Sequence, residues 1–429
     1  MVKHKKQWWI TGGILLLLLT ASGSGSLLWW RDMDTMPEVT IPSPKMPSPN
    51  AYDFYVKAGK AVIPPTTPIS PLYDSKFVPE NQRKTHYPVA KKEAWLKQNA
   101  HAFSLLEKGF ALPCRVPPQR SYISTIQGHG SKIWHLVNMI ILENEVHVER
   151  GQRKQAAESG LKLIKLGHEL SRGATLTDTI SGAQRKRTGN RIVWKQLPSL
   201  NATETQEIFN QMEKLFESRV KASEIWQEEK YFGQARSLEI MQMEGWRTAN
   251  WTGKKLQRRL YWLYRLHTSS KRSQFDSYTR YLDAWIAYSK KPYLNDSPKP
   301  AQPNDLFSHL HGAFYSRIPW HYARDESGGA LLLTALALRL YHHEHKRYPQ
   351  TLNELSPRYL KQIPVDPFGD GSPLRYKING DKYLLYSIGP DGKDDGGRAI
   401  EDAKYPKERR ARYAAMWYSK GDFVAGISY

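Results

Sequence analysis

The chain has 429 residues, with 63 lysines and arginines against 41 aspartates and glutamates, and a formal net charge of +22. Such a length buries a substantial core and suggests about two or three domains, while the charge favours anionic partners (phospholipid headgroups, acidic cell-wall polymers, nucleic acid) and says nothing about fold. Cys114 is the only cysteine, which excludes an intrachain disulfide; beside Pro113 it reads as a small packed side chain.

Lys3, Lys5 and Lys6 precede Trp8-Trp9 and the apolar run Ile14 to Leu19, and small residues from Ala21 to Ser26 lead into Leu27-Leu28-Trp29-Trp30. Residues 1–30 therefore read either as a secretory signal peptide or as a membrane anchor of about 20 residues with aromatic residues at both interfaces. A clean A-x-A cleavage site is lacking and cleavage leaves the second tryptophan pair unexplained, so the anchor is preferred. Either reading puts the bulk of the chain outside the cytoplasm, with the lysine-rich end retained inside.

Residues 31–50 carry Pro37, Pro42, Pro44, Pro47 and Pro49, a spacing that predicts an extended, semi-rigid stalk. Asn50 can cap a short helix over Ala51 to Ala61, and the proline-rich stretch from Val62 to Pro88 is expected to wrap the surface. Residues 51–300 read as a helical body, with amphipathic helices predicted near 89–109, 131–149, 152–171, 176–196, 203–218, 221–244, 254–268 and 272–291. Asn201 with Glu204 forms a capping-box signal for the fifth of these. No fixed period matches a named helical repeat, so the predicted fold is mainly α: an irregular antiparallel helical bundle or solenoid, ending in a small α+β module.

A bridging segment, 301–326, precedes that module, predicted over 327–400, and 401–429 reads as a tail. The apolar run Leu331 to Leu340 predicts one long helix ending near Tyr348, because Pro349 cannot continue it. Two strands, Leu374 to Ile378 and Tyr383 to Ile388, flank Asn379-Gly380 as a hairpin turn. The last strand empties into the glycine-rich acidic loop Gly389 to Gly397.

The order Leu340-Tyr341, Lys346-Arg347-Tyr348-Pro349, Asp366-Pro367-Phe368-Gly369 and Tyr386-Ser387-Ile388-Gly389-Pro390-Asp391-Gly392 resembles the C-terminal domain of the major pseudopilins of type II secretion. The resemblance covers roughly a sixth of the chain. In that family the apolar helix stands at the mature N-terminus behind a processing site; here neither a processing site nor the family's glutamate precedes the module, which reads as one borrowed by a larger protein. The whole chain also resembles membrane-anchored bacterial proteins with a helical body and this kind of ending. The pseudopilin resemblance implies calcium at the acidic loop, with Asp391 matching the family's G-x-D-G aspartate and Asp394 or Asp395 standing where the following acidic ligand lies. Hard calcium suits such oxygen donors, while Lys393 at a ligand position rejects an EF-hand reading.

Other constellations are weaker. His342, His343 and His345 around Glu344 lack the one-turn spacing of a zinc-protease pair and suit the negative end of a helix. Glu143, Glu145, His147 and Glu149, with His168 and Glu169, miss the Glu-x-x-His spacing of di-iron bundles and read as a polar helix face. Lys255, Arg258, Arg259 and Arg265 lie in the densest basic and aromatic segment and form a candidate contact for an anionic surface. Phosphate-binding loops, dinucleotide fingerprints and nucleophile elbows are missing, and Ser218 to Lys221 is a chance S-x-x-K match.

These features define the expectation of a non-enzymatic, membrane-tethered extracytoplasmic protein that binds an envelope protein or anionic polymer and is linked to secretion or cell-envelope assembly. Export argues against nucleic acid as a partner. The rival expectation is a periplasmic hydrolase whose site is assembled from dispersed Glu, Asp and His residues in the helical body. A deep site of converging acids and histidines distinguishes the second from the first.

Overall fold

The computed structural model describes residues 36–65, 88–120, 129–242, 271–293, 297–400 and 415–427. In chain order the α-helices are α1 (Ala51–Ala61), α2 (Val89–Gln98), α3 (Ala100–Phe110), α4 (His129–Glu149), α5 (Arg153–Glu169), α6 (Leu176–Gln196), α7 (Ala202–Glu217), α8 (Ala222–Gln242), α9 (Lys271–Tyr288), α10 (Leu306–His311) and α11 (Ile318–His345). Three strands, β1 (Arg375–Asn379), β2 (Lys382–Ser387) and β3 (Phe423–Val424), form an antiparallel sheet in the order β1-β2-β3. The fold is thus mainly α with a small α+β end, as the periodicity predicts.

Local chemistry sets several boundaries. The Asn50 side chain accepts from the Tyr52 amide at 3.2 Å and starts α1. At α7 the full capping box forms, with Asn201 Oδ1 accepting from Glu204 N and Glu204 Oε2 accepting from Asn201 N, both at 2.9 Å. The helix expected over 89–109 is instead broken at Asn99, whose Oδ1 accepts from Ile63 N at 2.7 Å while its Nδ2 donates to Trp95 O at 3.0 Å. A short amide side chain competes with helix bonding in this way, and here it ties the chain leaving α1 to the α2–α3 corner.

Helices α5 and α6 touch backbone to backbone. A Cβ on Gly160 would lie 2.8 Å from Gly189 O, and Cβ atoms on Gly167 and Gly182 would lie 2.7 and 2.8 Å from each other's carbonyl oxygens. Gly160 and Gly189 therefore pair, as do Gly167 and Gly182, so the two helices run antiparallel with one glycine contact every two turns. The N-terminus of α6 is completed by another helix: Glu229 of α8 accepts from Leu176 N at 3.1 Å and from Tyr315 Oη at 3.0 Å, which satisfies an amide that Thr175 leaves free.

Apolar side chains gather in three clusters. One joins α1 to α6 around Tyr55, Leu106, Leu136 and Leu163. A second is aromatic, with Trp226 and Trp285 stacked at 4.9 Å and Tyr278, Tyr281 and Tyr315 around them. The third joins α5, α6, α7 and α11 to Leu352, Leu374, Leu385 and Phe423 of the C-terminal module. Trp134, expected on the apolar stripe of α4, is instead 49 % exposed.

The proline-rich segment forms neither helix nor strand over 36–50 and bends at Ser48-Pro49, and it does not stand clear of the body. Pro37 is buried, Met36 packs on the aromatic cluster, and Ile41, Pro42 and Ser43 share a surface hollow with Ala235 and Leu238 of α8. It is a strap along the body.

Helix α11 begins nine residues before the expected module boundary at 327 and ends at His345, where Lys346 turns left-handed at φ 57° and donates to His342 O at 2.9 Å. The hairpin turn is shifted by one residue from Asn379-Gly380, because Asn379 pairs with Lys382 and leaves Gly380-Asp381 as the loop. Gly380 takes φ 56°, the positive angle a turn of this class demands at its first central position. The expected tail is also partly structural, since Tyr386↔Val424 and Ser387↔Phe423 pairing makes β3 the outer strand.

Among the described residues no helix is long and apolar enough to cross a membrane. The segment from Trp8 to Trp30 lies outside them, as do the helix expected over 254–268 and the candidate surface residues Lys255, Arg258, Arg259 and Arg265.

Gly189→Ala should lower unfolding free energy by about 1–3 kcal/mol, because neither helix can yield its backbone, and Asn201→Ala by about 1 kcal/mol through loss of the cap. Urea titration of the two variants checks both values; an unchanged midpoint for Gly189→Ala would contradict the close α5–α6 approach.

Candidate functional site

A cleft of about 720 Å³ opens where α6, α8, α9 and α11 meet the Val365–Pro367 loop of the module. Ile180, Ile225, Ile318 and Pro319 give it apolar walls, Tyr288, Tyr293 and Tyr322 give aromatic ones, and Arg219, Lys221, Lys290, Lys291, His321, Asp325 and Glu326 supply charge and polarity. Its volume falls in the range of small-molecule sites, and mostly apolar walls with a few polar groups are their usual composition.

Helix α11 places the polar floor. Its first turns carry His321 and Asp325 four residues apart, and Tyr322 and Glu326 likewise, so each pair shares a face. Asp325 is ion-paired with Lys186 of α6, and Glu326 with Arg219, which stands between α7 and α8. The Lys186–Asp325 pair is buried, whereas in the second pair Glu326 is largely buried and Arg219 is partly exposed. Burial pushes the Glu326 carboxyl up, against the pull of Arg219 and Lys186. Beneath them, fully buried His168 is held well below the usual histidine range, first by burial and then by Lys186 and Arg172. His321 falls to about 4, again mainly through burial, with Arg187, Arg324 and Arg317 adding to it. Both imidazoles are therefore neutral at neutral pH.

Every carboxylate lining the cleft is already engaged. Glu217 pairs with Lys361 at 2.5 Å, while Asp325 pairs with buried Lys186 and Glu326 with Arg219. Asp366 is 1 % exposed and accepts from Ser387 Oγ at 2.6 Å, Ile388 N at 2.9 Å and Phe368 N at 3.0 Å. The Asp366-Pro367-Phe368-Gly369 turn is thereby fastened to the end of β2, which gives that motif a structural reason.

The residues singled out from sequence do not come together as a metal or catalytic site. Among the described residues no group of three His, Cys, Asp or Glu side chains could hold a metal ion. In the acidic loop Asp391 Oδ1 accepts from Lys393 N at 3.4 Å, and Asp394 accepts from Tyr386 Oη and Gly396 N, both at 2.9 Å, and faces Arg375 at 3.4 Å. Asp395 pairs with Arg398 at 2.8 Å. A calcium ion there would have to displace Arg375 from Asp394 and Arg398 from Asp395. The carboxylate at the centre of the loop is Asp422, which sequence reading missed: it is fully buried and accepts from Gly397 N at 2.7 Å and Asp395 N at 3.4 Å.

The histidines at the end of α11 make separate contacts, His343 with Thr205, and His345 with Tyr341 and Tyr359. On α4, Glu143 pairs with Lys162 at 2.9 Å and Glu145 and Glu149 with Lys92 at 2.9 and 2.5 Å; on α5, Glu169 accepts from Tyr55. The Cys114 thiol is pushed up to about 12, chiefly by burial, so it is not a nucleophile. The cleft residues themselves gave one readable signal, the charged pair Asp325-Glu326 just ahead of the apolar stretch Ala330 to Leu338 of the same helix.

Compared with protein-family models, with curated proteins and with solved structures, the chain gives no significant match in any of the three.

Burial raises the Asp422 carboxyl from the ordinary 3.8 to about 6. A carboxyl raised in the folded state favours folding when protonated, so its contribution is present below about pH 4 and is lost as pH climbs to about 6. The stability difference between wild type and Asp422→Asn should therefore move against the wild type across that window, as read by melting temperature at pH 4, 5 and 6. A difference independent of pH would remove Asp422 as the titrating group.

Proposed function

We propose that the protein is a membrane-tethered, extracytoplasmic binding protein of the cell envelope, with its ligand held in the cleft between the helical body and the C-terminal module. The observation that carries this reading is the state of the cleft's acids: each is already neutralised by a cation or by hydrogen bonds. Hydrolysis requires a carboxyl or imidazole free to exchange a proton with substrate or water. Asp325 and Glu326 are committed to Lys186 and Arg219, and the one cleft imidazole, His321, is held at about 4 and is a weak base, so the arrangement favours holding a ligand over cutting one.

The order of apolar N-terminal segment, proline-rich strap, helical body and pseudopilin-like end supports an extracytoplasmic location and a role in secretion or envelope assembly. The strap's contact with α8 keeps the body near whatever the N-terminal segment is anchored in. The basic excess of the chain favours an anionic polymer as partner, and the segment containing Lys255, Arg258, Arg259 and Arg265 is a further surface for it.

The cleft is tested with the full chain in detergent and the fluorescent apolar anion anilinonaphthalene sulfonate as probe. Thr179→Trp, which fills the lumen, should weaken dye binding about tenfold without changing helix content; dye binding that ignores the filled cleft would defeat the reading. Location is tested separately, since a phosphatase fused after residue 429 should be active only if the C-terminus is exported.

Calcium at Asp391, Asp394 and Asp395 stays a proposal of the pseudopilin resemblance alone. Ion binding to the folded state raises melting temperature by mass action. Millimolar calcium against chelator should shift the wild type and leave Asp391→Ala unmoved; equal melting in all four samples excludes the ion.

A further inference from the structure

Resting on the cleft reading above, we infer that the ligand is an acidic glycan: a hydroxyl-rich chain carrying carboxylate or phosphate groups. Two independent properties of the cleft lead there.

The first is hydrogen-bonding capacity left unused. Tyr293 Oη, His321 Nδ1 and Asp325 Oδ1 all belong to residues of the cleft wall, and all are buried without a hydrogen-bond partner. Tyr293 and Asp325 are each 7 % exposed. Leaving such groups unpaired is costly, and in native structures a ligand or an ordered water pairs them. An acyl chain in the cleft would leave all three unpaired. Hydroxyl groups match them, because one hydroxyl both donates, as Asp325 requires, and accepts, as the Tyr293 phenol requires. A site built to hydrogen-bond hydroxyls also discriminates strongly against ligands lacking them. Tyr288, Tyr293 and Tyr322 line the same cleft, and aromatic rings suit the apolar C–H face that a sugar ring presents.

The second property is sign. The charge of each cleft acid is already met by a cation or by hydrogen bonds, whereas among the described residues Lys221, Lys290 and Lys291 make no ion pair, and all three are exposed at its edge. The charge left to meet a ligand is positive. A neighbouring hollow shares Arg219, Glu217, Ser223 and Lys290 with the cleft and adds Lys45 and Arg172, together with Glu224 and the ion-paired Arg115 and Glu228. Lys45, Arg172 and Lys290 extend the basic edge past the cleft, where a polymer longer than one sugar would reach them.

The experiment measures binding of hexagalacturonate to the full chain in detergent by calorimetry, with maltohexaose as neutral control, hexaglutamate as a polyanion without hydroxyls, and the dye as an independent reporter of the cleft. Hexagalacturonate should displace the dye, and neither control should compete with it. Tyr293→Phe removes only the unpaired hydroxyl and keeps the ring against Phe368, so it should melt no lower than wild type while binding hexagalacturonate about fivefold more weakly. Lys221→Gln/Lys290→Gln/Lys291→Gln should weaken it about tenfold or more and flatten its salt dependence.

Dye bound in the cleft with no displacement by hexagalacturonate overturns the glycan inference and leaves the cleft reading standing. Equal competition by hexaglutamate or maltohexaose overturns it too, as does equal glycan affinity in the tyrosine and lysine variants, which would place the sugar elsewhere on the basic surface. If the dye itself ignores the filled cleft, the cleft reading fails first.

Discussion

The burial of one helix on all sides organises this molecule. From Ala330 to Leu338 every residue of α11 is at most 4 % exposed, so this stretch cannot be a surface helix with one wet face. It has to be enclosed, and the enclosing elements are α6 and α7 of the body on one side and β2 with its flanking turns on the other. Body and module therefore share a core. Truncating a leucine there creates a cavity that typically costs about 2–5 kcal/mol, and the damage reaches both parts of the chain.

The same helix changes character at its N-terminal end, and the cleft lies there. Where leucines give way to Asp325 and Glu326, the body answers with Lys186 and Arg219. The Lys186–Asp325 pair is the buried one of the two, and a buried ion pair gains little net stability over apolar packing, because desolvation consumes most of the Coulomb attraction, yet breaking it leaves an uncompensated charge. The effect of the two pairs here is positional. They fix the turn of α11 that carries His321 and Tyr322 against the aromatic cluster of α8 and α9, and the cleft keeps its shape for that reason.

What could be read from the sequence follows the range of the interactions. Asn50, the Asn201–Glu204 box, the helical periodicity and the existence of the hairpin are legible because their partners lie within a few residues. Asn99 carried a local signal for its helix break, as the sevenfold spacing of Gly160 with Gly167 and of Gly182 with Gly189 did for the α5–α6 contact; both are plain once the partner is seen. The cleft was not legible, since its walls come from residues spread between 176 and 367. Strand β3 and Asp422 were hidden for a similar reason: two apolar residues after a long polar excursion have no periodicity, and only β2 and the glycine loop give them meaning.

That remote pairing bears on how the sheet is kept from other chains. Strand β3 and Asp422, which holds Gly397 in place, are distant in sequence from β2, yet they are what covers its second edge. Bare edges invite pairing with other chains. Because β3 contributes two residues to the sheet while the core of α11 is enclosed by the body, displacing that short segment leaves the helices packed and bares β2. The small outer strand therefore acts as a guard on the sheet, and its loss would turn the module into a point of aggregation or proteolytic attack.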